Sequence, residues 1–99
     1  MRIKRHILAK EAQFFDSRAS DIDIYKIEID NAFNKNSREG QFILKALPKN
    51  LKGKKILDIG CGLGASTVFM AKRGANVTGI DISTKALRVG KQLAKLYKV

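Results

Sequence analysis

The sequence has a single cysteine, Cys61, in 99 residues. No intrachain disulfide framework can form, and a reducing cytoplasm is the expected setting. No run approaches the roughly 18 consecutive apolar residues of a membrane-spanning helix. The basic start, MRIKRHILAKEAQFF, is broken by Lys10 and Glu11 before a long apolar core develops, which argues against a secretory signal. There is no internal repeat and no low-complexity tract. Acidic residues are scarce: 9 stand against 20 Lys and Arg, for a formal net charge of +11. That excess suits RNA or a membrane surface. The lysines, however, are spread along the chain, and the densest run, PKNLKGKK, holds no aromatic on which a base could stack. His6, beside Arg5, is expected to be a solvated side chain. No metal site is expected.

What is present divides into two parts, residues 1–47 and 48–99. The first reads as helical. Lys4 to Arg18 is built of good helix formers and ends in Phe14 and Phe15. Ser20 to Asp23 loosely fits a capping box, and Ile22, Tyr25, Ile29 and Phe33 follow at helical spacing. The same stretch also alternates, Ile22–Ile24 and Ile27–Ile29, so a strand stays open. Phe15 and Tyr25 are expected to face a core. The run NKNS, 34–37, is a loop whose Ser37 caps a short helix through Phe42, Ile43, Ala46 and Leu47. Pro48 ends it, because the residue before a proline is pushed out of the α region.

After a polar connector the pattern changes. KILDI has the composition of a buried parallel strand. A glycine turn follows, then a helix from Ala65 to Arg73 with Gly74 as its stop. NVTGID is a second strand, and Ser83 caps a last helix from Thr84 to about Lys98. Strand, turn, helix, strand and helix make the opening of an α/β sheet, with the two strands adjacent and parallel.

The glycine turn is where chemistry is expected. Gly60, Gly62 and Gly64 let the backbone take positive φ and let a ligand approach without a Cβ in the way. The helix behind them aims free N–H groups at that ligand. Spacing alone leaves the ligand open. Gly60, Gly62 and Ala65 satisfy the dinucleotide pattern, and Asp81, about 20 residues on, stands where a carboxylate accepts ribose hydroxyls. Asp58 favours a different ligand. A carboxylate roughly 6 Å from a pyrophosphate opposes it by about 3 kcal/mol at an effective dielectric of 20. A ligand whose near end carries a sulfonium and an ammonium is instead welcomed by it.

The run ILDIGCGLGASTVFMAKRGANVTGIDIS closely resembles the cofactor-binding half of the class I, Rossmann-like S-adenosylmethionine-dependent methyltransferases. Their first motif, an acidic residue followed by G-x-G-x-G, corresponds to Asp58, Gly60, Gly62 and Gly64, with Cys61 inside it. Asp81 corresponds to the ribose-binding acid and Ile82 to the residue that packs on adenine. Phe15, Asp16 and Ala19 look like the helical lid of small-molecule members. The resemblance implies an α/β fold in which N-terminal helices, 1–47, precede the βαβα start of a Rossmann-like sheet, 48–99. That sheet is incomplete, since the family's has seven strands. It also implies S-adenosylmethionine as cofactor and a methyl acceptor that is a small molecule, with RNA as the alternative. The chain is expected to be the N-terminal part of such an enzyme and inactive alone, and no catalytic residue can be named.

Simpler roles stand beside these. Asp58 can hydrogen-bond loop amides, Asp81 can merely precede the Ser83 cap, and Ile82 can be core. Cys61 suits packing better than nucleophilic attack, with no basic neighbour in sequence to lower its pKa. A nicotinamide- or flavin-binding oxidoreductase and a non-catalytic relic of the fold are the competing functions.

Overall fold

The computed structural model describes residues 5–99, with side chains described from residue 9 onward. His6 and the start of the first helix therefore lie outside the described side chains. Four α-helices and two strands follow in the order α1 (Arg5–Ser20), α2 (Arg38–Ala46), β1 (Lys55–Ile59), α3 (Ala65–Lys72), β2 (Asn76–Ile80) and α4 (Thr84–Leu96). The arrangement is of the α/β kind, two parallel strands joined through a helix.

The strands pair in parallel and in register, Lys55 with Asn76 through Ile59 with Ile80. The chain between them is α3, closed by Gly74, whose amide bonds the Ala71 carbonyl at 3.0 Å. Inward positions of the strands are Ile56, Asp58, Val77 and Gly79. Ile56 and Val77 lie on a core of Ile29, Leu51, Val68, Phe69, Met70 and Leu93. Phe33 meets Phe69 edge to face, with ring centroids 5.2 Å apart, so the N-terminal segment and the βαβα unit share one apolar centre. Leu51 departs from the polar reading of the connector. It is buried, and its amide bonds the Arg73 carbonyl at 2.9 Å, which pins the connector to the end of α3.

Two expectations fail. Residues 22–33 form neither an α-helix nor a strand, only a 3-10 turn, Ile24–Lys26, followed by turns. Short polar side chains capture the backbone there. Asp23 Oδ1 accepts from the Tyr25 amide and Asn31 Oδ1 from the Lys35 amide, the local competition that disfavours helix interiors. Ser20 caps nothing; its hydroxyl donates to the Ser17 carbonyl at the end of α1. Neither Tyr25, 77% exposed, nor Phe15 is a core residue. The second failure concerns β1, which is not buried on both faces. Helices cover the face of Ile56, while Leu57 and Ile59 on the other are 58% and 74% exposed. Ile80, paired with Ile59, is exposed beside them.

Candidate functional site

The glycine turn grows directly out of the β1–β2 ladder. Both the Gly60 and the Cys61 amides bond the Ile80 carbonyl, at 2.8 and 3.0 Å. The chain then reverses through Gly60, Gly62 and Gly64 at φ of 70°, 56° and 89°, angles that cost a side-chain-bearing residue about 1–2 kcal/mol. A Cβ placed on Gly60 or Gly62 would meet nothing within 4 Å, whereas one on Gly64 would press on the Gly90 backbone at 3.1 Å. Gly60 and Gly62 therefore face open space that a ligand can enter. Gly64 is needed for close packing against α4.

Asp81 follows β2 and is held on both sides. Its Oδ2 accepts from the Gly62 amide at 2.8 Å and its Oδ1 from the Ser83 amide at 2.9 Å. The carboxylate ties the tip of the glycine turn to the start of α4. A carboxylate offers about four lone-pair sites, so two acceptor positions remain for a ligand. Asp58 turns to the first turn of α3, where its Oδ2 accepts from the Ser66 and Thr67 hydroxyls at 2.7 and 2.8 Å. The partners are thus hydroxyls rather than loop amides. Its negative charge sits at a helix N-terminus, and it offsets the positive end that would otherwise attract an anion.

Cys61 is half-buried beside these two acids. Burial first, then Asp58 and Asp81, push its thiol above the ordinary cysteine range. It is a protonated packing residue at neutral pH. Gly79 makes room for it, since a Cβ there would fall 2.9 Å from Cys61 Sγ and 3.2 Å from Thr67 Oγ1. Sequence reasoning passed over Gly79, although a glycine inside a strand is a known sign of close approach. Ile82 is partly exposed beside Asp81 and is not a core residue.

Two hollows adjoin the turn. The larger, about 380 Å³, lies between α3 and α4 and is bordered by Gly62, Gly64, Thr67, Leu87, Arg88 and Lys91. The smaller, about 160 Å³, lies between α1 and the turn, with Phe15, Arg18 and Ile22 facing Gly62 and Asp81. Only the smaller is bordered by Asp81, so a ligand that uses this carboxylate belongs on that side of the turn. Among the described residues, no group of three His, Cys, Asp or Glu side chains is placed to hold a metal ion, and no helix is long and apolar enough to cross a membrane.

Sequence reasoning named Asp16 only through the lid resemblance. In the fold it crosses from α1 to the N-terminus of α4. Its Oδ1 accepts from the Ser83 hydroxyl and, at 3.3 Å, from the Lys85 amide. The Ser83 hydroxyl holds Asp16 below the ordinary carboxylate range. Desolvation opposes this, second in size only to the Ser83 bond, while the Lys85 amide and the charges of Lys85 and Arg88 add smaller contributions in the same direction as Ser83.

Residues 56–99 match a family described as "Methyltransferase domain". Over 39 residues the chain is 67% identical to a ubiquinone biosynthesis O-methyltransferase of Cupriavidus pinatubonensis, covering 39% of this chain and 16% of that protein. Over 73 residues it is 33% identical to a 23S rRNA (uracil(747)-C(5))-methyltransferase of Pyrococcus abyssi, covering 74% and 18%. Over 87 residues it is 30% identical to a tRNA (uracil(54)-C(5))-methyltransferase of Pyrococcus horikoshii, covering 88% and 21%. In each case the match spans about a fifth or less of the relative's length.

Proposed function

We propose that the chain, whose residues 56–99 match a methyltransferase domain, is the cofactor-binding portion of an S-adenosylmethionine-dependent enzyme that methylates a small molecule. The observation that carries this is the joining of Asp81 to the Gly62 amide beside open space at Gly60 and Gly62. The residues present fit the cofactor. Asp81 has two free acceptor positions for the ribose hydroxyls, Gly62 and Leu63 border the cleft beside it with open space at Gly60 and Gly62, and partly exposed Ile82 offers an apolar surface to adenine. Asp58 stands against a pyrophosphate by placing its charge at the head of α3. When bound, the cofactor supplies an electrophilic methyl on a sulfonium, which departs as a neutral thioether.

The protein's share of such a reaction is chiefly positioning. Phe15, Arg18 and Ile22 form the wall that would shield the cleft from water. No side chain at the cleft is assigned as a base, and the 99-residue chain by itself is proposed not to turn over. The small-molecule reading rests on the higher identity to an O-methyltransferase, 67% over 39 residues. RNA is the second reading. It is favoured by the two uracil methyltransferases, which align with more of this chain, and by the net charge of +11.

Isothermal titration calorimetry with S-adenosylmethionine, its demethylated product S-adenosylhomocysteine and a nicotinamide dinucleotide tests the proposal. The first two are expected to bind and the third to leave no heat. Tight binding of the dinucleotide with no response to S-adenosylmethionine would sink it.

A further inference from the structure

A chain of hydrogen bonds runs from α1 to the glycine turn and passes through Ser83, which is fully buried. The Ser83 hydroxyl does two things. It accepts from the Ala86 amide at 3.0 Å, the ordinary work of an N-cap, and it donates to Asp16 Oδ1. The Ser83 amide donates to Asp81 Oδ1, and Asp81 Oδ2 accepts from Gly62. Asp16 also receives the Lys85 amide, so it grips the first turn of α4 at two points 67 and 69 residues away in sequence. A serine can cap a helix without a carboxylate behind it. The extra partner comes from an element that the cap does not need.

We propose that Asp16 is a positioning residue: by latching α1 to Ser83 and Lys85 it fixes the carboxylate of Asp81 against Gly62 and seats the α1 wall of the cleft. Three observations converge on this. Asp16 shares α1 with Phe15 and Arg18, which border the cleft containing Asp81 and Gly62. Ala19, one turn further along the helix, is buried, so this face of α1 is the docked one. The two Ser83 bonds leave that residue no freedom to turn without releasing either Asp16 or Asp81. Bonds in such a connected set support one another, so loss of the first is felt at the last. The part of the proposal that concerns cofactor rests on the function proposed above, whereas the part that concerns geometry does not.

Amide hydrogen exchange by NMR, together with calorimetry using S-adenosylhomocysteine, separates the two parts. The protein is the full 99-residue chain as wild type, Asp16→Ala, Asp16→Asn and, as a control, Asn50→Ala. The control removes a comparable side-chain acceptor, that of the Lys52 amide, in the connector. Asp16→Ala is expected to speed exchange at Lys85 and also at Gly62, which Asp16 does not touch. It is also expected to weaken S-adenosylhomocysteine by about fivefold or more. Asp16→Asn keeps an acceptor oxygen and is expected to recover part of both effects. Asn50→Ala is expected to leave Gly62 at the wild-type rate. If Asp16→Ala changes Lys85 alone, or if Asn50→Ala opens Gly62 equally, the latch is wrong and Asp16 is only a helix-end partner. Should Asp16→Ala fail to fold by circular dichroism, Asp16→Asn against Asn50→Ala decides by the same comparison at Gly62. A wild-type chain that binds no cofactor overturns the functional reading, and the exchange rates still decide the latch.

Discussion

Asp81 carries two duties, and its variants are expected to show both. Its oxygens hold the Gly62 and Ser83 amides, so Asp81→Ala should lose about 1–3 kcal/mol of stability in urea denaturation. Asp81→Asn should do little better, because its NH2 group must face one of those two N–H donors. If the carboxylate also accepts the ribose hydroxyls, S-adenosylhomocysteine affinity should fall about 10- to 150-fold beyond any unfolding. Unchanged affinity would leave Asp81 a brace and nothing more. Cys61 gives a simpler test. Burial and the two neighbouring acids raise its thiol, so iodoacetamide at neutral pH should modify it more slowly than it modifies free cysteine, and raising the pH should close the gap. Modification as fast as that of the free amino acid would contradict the described packing. Asp16 gives the third. Its folded pKa is depressed below the ordinary 3.8 by Ser83, Lys85 and Arg88. The docking it supports should therefore be complete above that value and fade as pH falls below it. Exchange at Lys85 followed down an acid series would show this, and a rate independent of pH after correction for intrinsic exchange would refute it.

At the scale of elements, the best test of packing is a pair of glycines. A Cβ on Gly40, in the first turn of α2, would fall onto the backbone carbonyls of Phe33 and Asn34. Gly40→Ala must therefore push α2 off that turn, at a cost of about 3 kcal/mol or more. Gly53 has a φ of 80° and open space around it, so Gly53→Ala should cost only about 1–2 kcal/mol of backbone strain. Equal midpoints in urea for the two variants would contradict the placement of α2. The contrast also shows what the chain makes legible. The caps Ser37 and Ser83, the stop at Gly74 and the apolar runs of both strands mark their elements locally, so α2, β1, α3, β2 and α4 can be read directly. The glycine turn and Asp81 are legible for the same reason: a strand end, a turn and a capped helix follow one another within about thirty residues. Residues 22–33 are not legible. Their isoleucines fit two periods, and the outcome depends on Asp23 and Asn31 taking backbone amides for themselves. Asp16 is illegible for a different reason. Its partners lie 67 and 69 residues away, and no local pattern encodes which helix end a carboxylate will reach.

For the whole molecule, the telling feature is how much surface stays open. The accessible area is 7740 Å², against about 5,600 Å² for a closed folded monomer of this mass. The radius of gyration, 14.3 Å, exceeds the roughly 13 Å of a compact domain of this length. Part of the excess has a clear location. Leu57, Ile59 and Ile80 stand together on the uncovered face of the sheet, and contiguous apolar surface of this kind drives association. The net charge of +11 opposes self-association through repulsion between copies. These two forces respond differently to salt: at about 0.15 M the Debye length is about 8 Å and at 1 M about 3 Å, while apolar contact is not screened. The chain is therefore expected to bind the dye ANS in its folded state and to associate increasingly as sodium chloride rises, followed by sedimentation velocity. Ile59→Lys adds a charge in the middle of the open face and disturbs no buried contact. It should reduce both dye binding and salt-driven association while leaving the urea midpoint within about 0.5 kcal/mol of wild type. Association that weakens with salt would mean that charge, not the sheet face, brings copies together. A large loss of stability in Ile59→Lys would mean that this face is covered within the chain.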